Sequence, residues 1–229
     1  MTVLNEDPPR KTRVYRSAVR AAAASETRRR IVDAALESFT HDGYAATTLR
    51  TIAQRARVSV ETVNGHGPKR DLLFAAFELA FAEREGREPM GERADFAAAA
   101  EVQGARAFLA ALVHVTTDAF ARSAGIWRAV NAAADVDPAV AETLADLVAR
   151  RRQEFAGFVR AYGERGGTVP SDIDAAVDVL SLVVSHESFT HLAETSGWSR
   201  GRFERWAVAT AVAQLEALAA EERQGPPSR

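Results

Sequence analysis

The side chains best equipped for chemistry cluster between positions 47 and 69. Thr47, Thr48, Arg50, Arg57, Ser59, Thr62, Asn64, His66 and Lys69 all fall there. Hydroxyls, an amide, an imidazole and cations of this kind hydrogen-bond phosphate oxygens and base edges. The rival constellation is His186-Glu187 with His191. Its two histidines are five apart and lie on different helix faces, so it is not the His-Glu-x-x-His metal motif. No glycine-rich phosphate loop follows a strand, and there is no nucleophile elbow. The chain has no Cys, hence no thiol nucleophile, disulfide or Cys-based zinc site. No catalytic residue, metal site or cofactor is expected, and the chain reads as a non-enzyme.

The elements that must position the cluster can be read from TTLRTIAQRARVSVETVNGHGPKRDLL, residues 47–73. Thr47 or Thr48 can cap a helix whose inner face is Leu49, Ile52, Ala53 and Ala56, with Arg50, Gln54 and Arg55 outward. Arg57-Val58 makes a turn, and Ser59 caps a second helix through Asn64. Gly65 and Gly67 weaken helix, and Pro68 suits the first turn of the next. Two short helices across a tight turn are the layout of a DNA-binding helix-turn-helix, whose second helix enters the major groove. Thr62 and Asn64 would share a side with His66 if that helix continued, and would reach base edges or phosphates. Thr47, Thr48, Arg50 and Lys69 would flank the groove on backbone phosphates. Capping and phosphate contact are compatible, because both use helix N-termini.

Charge is divided in the same way. The net charge is −2 over 229 residues. Residues 1–70 carry 13 Lys/Arg against 7 Asp/Glu, and residues 71–229 carry 16 against 24. A basic N-terminal third on an acidic body suits a phosphate-binding module joined to something that avoids phosphate. No apolar run approaches the roughly 20 residues needed to cross a bilayer. The first residues lack the apolar core of a signal peptide. A soluble cytoplasmic protein with no membrane partner is expected.

Helical periodicity recurs along the rest of the chain, and no segment alternates like a strand. Residues 1–24 read as a disordered basic arm. A first helix is expected from Glu26 to His41, capped by Ser25 and ended by Asp42-Gly43, with Gly43 at a left-handed position. A helix from Pro68 to about Arg84 should touch both the N-terminal module and the body. Residues 85–103 form a polar connection with a short helix near Asp95–Glu101. Further helices are expected near 104–121, 123–134, 138–165, 173–195 and 200–222. The fold class is all-α. A helix-turn-helix domain at 25–70 precedes a larger helical domain at 71–223, and a disordered tail closes the chain at 224–229.

The stretch RRRIVDAALESFTHDGYAATTLRTIAQRARVSVETV, with GPKRDLLFAAFE after it, closely resembles the N-terminal domain of TetR-family transcriptional regulators. The shared pattern is an amphipathic first helix, a Gly-Tyr pair, Thr-Thr, Ile-Ala, then Val-Ser, a Thr in the recognition helix, and a Lys near the next helix. It covers roughly a quarter of the chain; WSRGRFERWAVATAVAQL also looks like the last helix of such regulators. There are two departures. Arg57 stands where the family commonly has the turn Gly; a left-handed non-Gly residue costs about 1 kcal/mol, which a phosphate contact could partly offset. NGHGPK is one residue shorter than the family's aromatic segment, with Asn64 where Tyr is common. A short, loosely held recognition helix that orders on DNA is therefore expected.

The resemblance implies a dimeric repressor on double-stranded operator DNA, released by a small-molecule effector; the large apolar content suggests an effector of apolar or amphipathic character. The last two helices would form the dimer interface, with Val177, Leu180, Val184, Trp206, Val208, Ala209, Val212, Ala213 and Leu215 as candidates. A two-fold dimer implies a palindromic operator. An effector pocket would lie in the body, walled by Phe77, Phe81, Phe108, Leu112, Val115, Trp127 and Phe158. His114, Thr117, Asn131 and His186 would supply its polar contacts. The alternative is a helical small-molecule-binding or scaffold protein with weakened or lost DNA binding.

Overall fold

A computed structural model describes residues 11–86 and 89–224, and within them every regular element is helical. The helices are α1 (Lys11–Ala46), α2 (Leu49–Ala56), α3 (Val60–Asn64), α4 (Lys69–Ala82), α5 (Ala94–Ala100), α6 (Ala105–Ala134), α7 (Pro138–Glu164), α8 (Ile173–Val183), α9 (His186–Phe189) and α10 (Arg200–Gln224). A 3-10 turn, Met90–Glu92, precedes α5, and a π turn, Thr190–Thr195, follows α9. The all-α architecture is as expected. No described helix is long and apolar enough to cross a membrane.

Three boundaries differ from the sequence reading. The first helix begins at Lys11, so Ser25 is not a cap and residues 11–24 are not a disordered arm. The alanine run 21–24 favours helix strongly and carries α1 through it. The first ten residues of that arm, and residues 225–229 of the tail, lie outside the described region. The two helices expected at 104–134 are one, because Ser123 turns its hydroxyl onto the Ala119 carbonyl (2.6 Å) instead of ending the helix. The helix expected at 173–195 breaks at Val184; Ser185 starts a new one by accepting the Ser188 N–H at 3.0 Å.

Two cores share α6. One joins α1 to α4 and the end of α6 through Ile31, Phe39, Ile52, Val63, Leu72 and Val130. The other fills the body between α5, α6, α7, α8 and α10 with Phe108, Phe120, Phe155, Val177 and Phe203. Gly125 is what lets α6 lie against α1: a Cβ there would stand 2.6 Å from Thr40 Cγ2. Arg122, one turn away, donates to the carbonyls of Ala80 and Phe81 at the end of α4. Cationic groups are favourable at helix C-termini, so α6 grips both α1 and α4.

Of the residues expected at a dimer interface, Val177, Leu180, Val184, Val208 and Leu215 are buried in the second core. Their apolar periodicity serves the interior of one chain. Ala209 and Ala213 are exposed, and Trp206 and Val212 are half-buried.

Candidate nucleic-acid interface and effector cavity

The α2–turn–α3 unit is held by caps at each junction. Thr48 accepts the Thr51 N–H at 3.0 Å and opens α2. Arg57 adopts the left-handed conformation (φ 55°, ψ 48°). Its N–H reaches the Gln54 carbonyl at 3.2 Å, and the Val58 N–H reaches the Ala53 carbonyl at 3.0 Å. That pair of bonds is a Schellman motif, which satisfies the last carbonyls of α2. Ser59 then accepts the Thr62 N–H at 3.1 Å and opens α3. The turn keeps its ordinary geometry although Arg occupies the glycine position, so about 1 kcal/mol of backbone strain is retained there.

α3 spans five residues, as short as expected, but it is not loosely held. Val63 is fully buried in the first core. Arg28 of α1 donates to the His66 carbonyl at 2.9 Å and pairs with Glu85 at 2.7 Å. Arginine therefore clamps the segment in which the sequence has glycines instead of aromatics. Lys69 Nζ sits 4.0 Å over the Tyr44 ring.

The nine residues of the expected DNA surface divide. Thr48, Arg50, Arg57, Ser59 and Asn64 are exposed; Thr62 and His66 are half-buried. Ser59 and Thr62 hydroxyls lie 3.0 Å apart within the cap. Thr47 is only 1% exposed and gives its hydroxyl to the Gly43 carbonyl at 2.7 Å. It braces the turn that Gly43 makes with a positive φ of 76°, and does not face outward. Lys69 is turned back onto Tyr44 and is half-buried; burial lowers its pKa.

Tyr44 also joins the module to the body. Its hydroxyl donates to Asp137 Oδ2 at 2.9 Å. Asp137 Oδ1 in turn accepts the Ala139 N–H at 3.1 Å and caps α7. Burial and the adjacent carboxylate push the Tyr44 phenol up to about 12. The bond from Tyr44 draws the Asp137 carboxyl below its usual range.

A cavity of about 490 Å³ opens between α4, α7, α8, Gly86 and the residues Pro89, Met90 and Arg93. Of the residues named for an effector pocket, Phe77, Phe81, Trp127 and His186 line this cavity. The other seven residues expected there do not. Phe108 and Leu112 are buried in the second core, and Phe158 stacks on Phe96 at 6.0 Å. Thr117 is buried within α6, and Asn131 donates to the Trp127 carbonyl along the helix. His114 is exposed and pairs with Glu204 at 3.0 Å. These positions face other sides of α6 and α7. Val115 also lies outside the lining.

His186 is 2% exposed, and its ring stacks 4.5 Å from Trp127. Burial, reinforced by the Arg151 charge, pushes its pKa down to about 2. Ser123 spends its only hydrogen on the Ala119 carbonyl, so at 2.9 Å it accepts from His186 Nε2–H. The Nδ1 lone pair then has no partner. The break at Val184 is what turns this ring into the cavity wall.

Sequence reasoning missed the arginines of the cavity, Arg93, Arg150, Arg151 and Arg152. Arg151 lies deep beside Phe120 and Phe155 and donates to the Val184 carbonyl left free by the break. Burial lowers its pKa to about 10, so it stays charged at neutral pH. Arg152 is paired with Asp174 and Asp178. The run ARRR at 149–152 was the available signal. Among the described residues no group of three His, Asp or Glu side chains is arranged to hold a metal.

Comparison with known proteins agrees with this layout. The sequence model for bacterial regulatory proteins of the tetR family matches residues 31–77. The resemblance expected from the N-terminal motifs is borne out. No curated protein matches the sequence significantly. Solved structures share the fold over most of their length. A bacterial regulatory protein in the tetR family from Rhodococcus RHA1 is 22% identical, with a TM-score of 0.60; the match covers 82% of this chain and 96% of that one. The transcriptional regulator FadR from Bacillus subtilis, in complex with stearoyl-CoA, is 17% identical with a TM-score of 0.62, over 80% and 97%. A protein from Saccharomonospora viridis in complex with choline is 22% identical with a TM-score of 0.60, over 80% and 94%. The chain thus has the TetR-family regulator fold, with an N-terminal helix-turn-helix and a helical body.

Proposed function

We propose that the chain is a ligand-responsive, DNA-binding transcriptional regulator: a homodimeric repressor that a small molecule releases from a palindromic operator in the cytoplasm. The observation that carries this reading is the capped α2–turn–α3 unit, with Thr48, Arg50, Arg57 and Asn64 exposed along it. A rigid unit with small polar and cationic groups outward suits phosphate positioning and base readout. Thr47 and Lys69 support the unit from within. Thr48, Arg50, Arg57, Ser59, Thr62, Asn64 and His66 form its DNA face.

The effector part rests on the cavity and on α4. Phe77 and Phe81 of α4 line the cavity, and the same helix packs on α1 in the first core. A ligand that binds one arrangement of α4 better than another would bias the recognition helices by that differential affinity. Structural neighbours that carry choline and stearoyl-CoA support a ligand role for this body.

Selection of bound DNA from a random pool tests the reading. A palindromic site with half-sites about one helical turn apart, or a multiple of it, is expected. Affinity for that site should fall steeply with salt. A double substitution, Thr62→Ala with Asn64→Ala, should lower specific binding while sedimentation still shows a dimer. Failure to recover any sequence would favour the helical binding or scaffold protein instead.

A further inference from the structure

One group in the cavity wall is charged, buried and incompletely partnered. Arg93 follows the 3-10 turn, and its side chain is 6% exposed. Nε and Nη2 clasp Asp95 at 3.3 and 2.7 Å. Nη1 is buried with no acceptor. An arginine donor left bare in an apolar setting is costly, and a carboxylate or phosphate is the acceptor that fits its planar fork. Around it stands apolar surface: its guanidinium lies 5.4 Å from the Phe81 ring centre, and Phe81, Phe77, Trp127 and Leu147 continue the wall.

The acidic groups of the cavity do not ask for a cation. Glu78 accepts the Gly86 N–H, and Glu154 accepts the Met90 N–H, each at 2.9 Å. Glu187 accepts the Trp127 indole N–H at 3.0 Å, and Asp178 is paired with Arg152. Arg151 adds a second buried positive charge to the wall, and His186 beside it is held neutral. Arg93 Nη1 is thus an unmet donor that suits a negative head group, while the neutral His186 offers one unmet acceptor, Nδ1, that a neutral donor can meet.

We propose that the cavity recognises an amphipathic anion, with its head at the Arg93 guanidinium and its apolar body against Phe77, Phe81, Trp127 and Leu147. This rests on the cavity being the effector site, and it names the chemical class of the effector. A carboxylate and a phosphate share the required chemistry; their relative affinities separate the two sources.

Calorimetric titration of the full chain with four twelve-carbon probes, each below its critical micelle concentration, tests the proposal. The probes are dodecanoate, dodecyl phosphate, dodecanol and dodecyltrimethylammonium. At least one anion should bind about tenfold or more tighter than dodecanol, as a charge-assisted bond predicts. Arg93→Met should remove that margin and leave dodecanol binding unchanged. Arg93→Lys keeps the charge and should keep part of the margin, which guards against a folding defect in the first variant. Equal binding of alcohol and anions, tighter binding of the ammonium probe, or an unchanged margin in both variants would overturn the proposal. Leu147→Trp, which fills the cavity, should abolish binding of every probe. If it does not, or if no probe binds the native chain, the cavity itself is not the site.

Discussion

Tyr44 and Asp137, 93 positions apart, are joined by a 2.9 Å hydrogen bond that ties the N-terminal helical unit to the first turn of α7. The Tyr44 phenol is pushed up to about 12 and the Asp137 carboxyl is lowered. A raised phenol pKa means stability that is whole below about 10 and lost as pH rises through about 12. A lowered carboxyl pKa means stability that is present above the ordinary carboxylate range and lost as pH falls through its folded value. The tie therefore holds across neutral pH and releases at both extremes. Absorbance titration at 295 nm should show a tyrosine step near pH 12 in the native chain. Tyr44→Phe should reduce that step by one tyrosine, leaving Tyr162, whose phenol is also pushed up by burial; an unchanged amplitude would mean that the bond is not made.

His186 should never titrate near neutrality. With its pKa pushed down to about 2, the folded chain keeps the ring neutral while the unfolded chain protonates it near 6.5. Stability should then fall as pH drops below about 6.5, because the unfolded state binds the proton first. His186→Phe should flatten that part of the acid limb. Ser123 loses little in the variant, since its hydrogen already goes to Ala119. Denaturant melts between pH 6.5 and 5 would show it, and an equally steep decline in both proteins would contradict the assignment.

Arg28 should control the order of the recognition segment. It is the side chain that grips the His66 carbonyl while paired to Glu85. Arg28→Ala should speed amide exchange across 64–67 and weaken the proposed DNA binding several-fold, without a change in oligomeric state. Unchanged exchange would show that Val63 alone holds the segment.

Arg57 sets stability against binding. Arg57→Gly should relieve the left-handed strain and raise stability by about 1 kcal/mol. If Arg57 meets a phosphate, the same change should reduce the slope of log K against log salt by about 1. Stability and salt slope measured on one variant separate the two effects.

The helix-turn-helix was legible because each junction depends on a local residue. Thr48 and Ser59 cap, Gly43 turns with positive φ, and Pro68 precedes α4. These effects act within four residues, which a sequence displays directly. The cavity was legible only in part. Phe77, Phe81 and Trp127 lie on helices whose apolar arcs are wider than one contact surface, so their type marked them as interior without fixing which interior. Arg150, Arg151 and Arg152 are consecutive on a helix and point about 100° apart. Sequence offers no way to see that a cavity edge can receive all three. The break at Val184 was hidden because VDVLSLVVSHESF keeps its apolar rhythm through it. There the Arg151 side chain, arriving from α7, takes up the freed carbonyl. Arg93 belongs to a turn whose place is set by Met90, anchored on Glu154 from 64 residues away.

Gly125 lies within one turn of α6 of both Ser123 and Trp127. The contact with α1 and part of the aromatic wall are thus separated by the thickness of a single helix. The two halves of the cavity wall consequently differ in their freedom to change over evolutionary time. A substitution on the α6 side alters the footing of the N-terminal unit along with the wall. On α7 the cavity side chains Arg150 and Arg151 lie outside the first core, whereas Leu147 packs against it. If the cavity is the effector site, new ligand preferences should accumulate at Arg150 and Arg151 of α7, while the α6 turn stays nearly fixed among descendants that keep the same architecture.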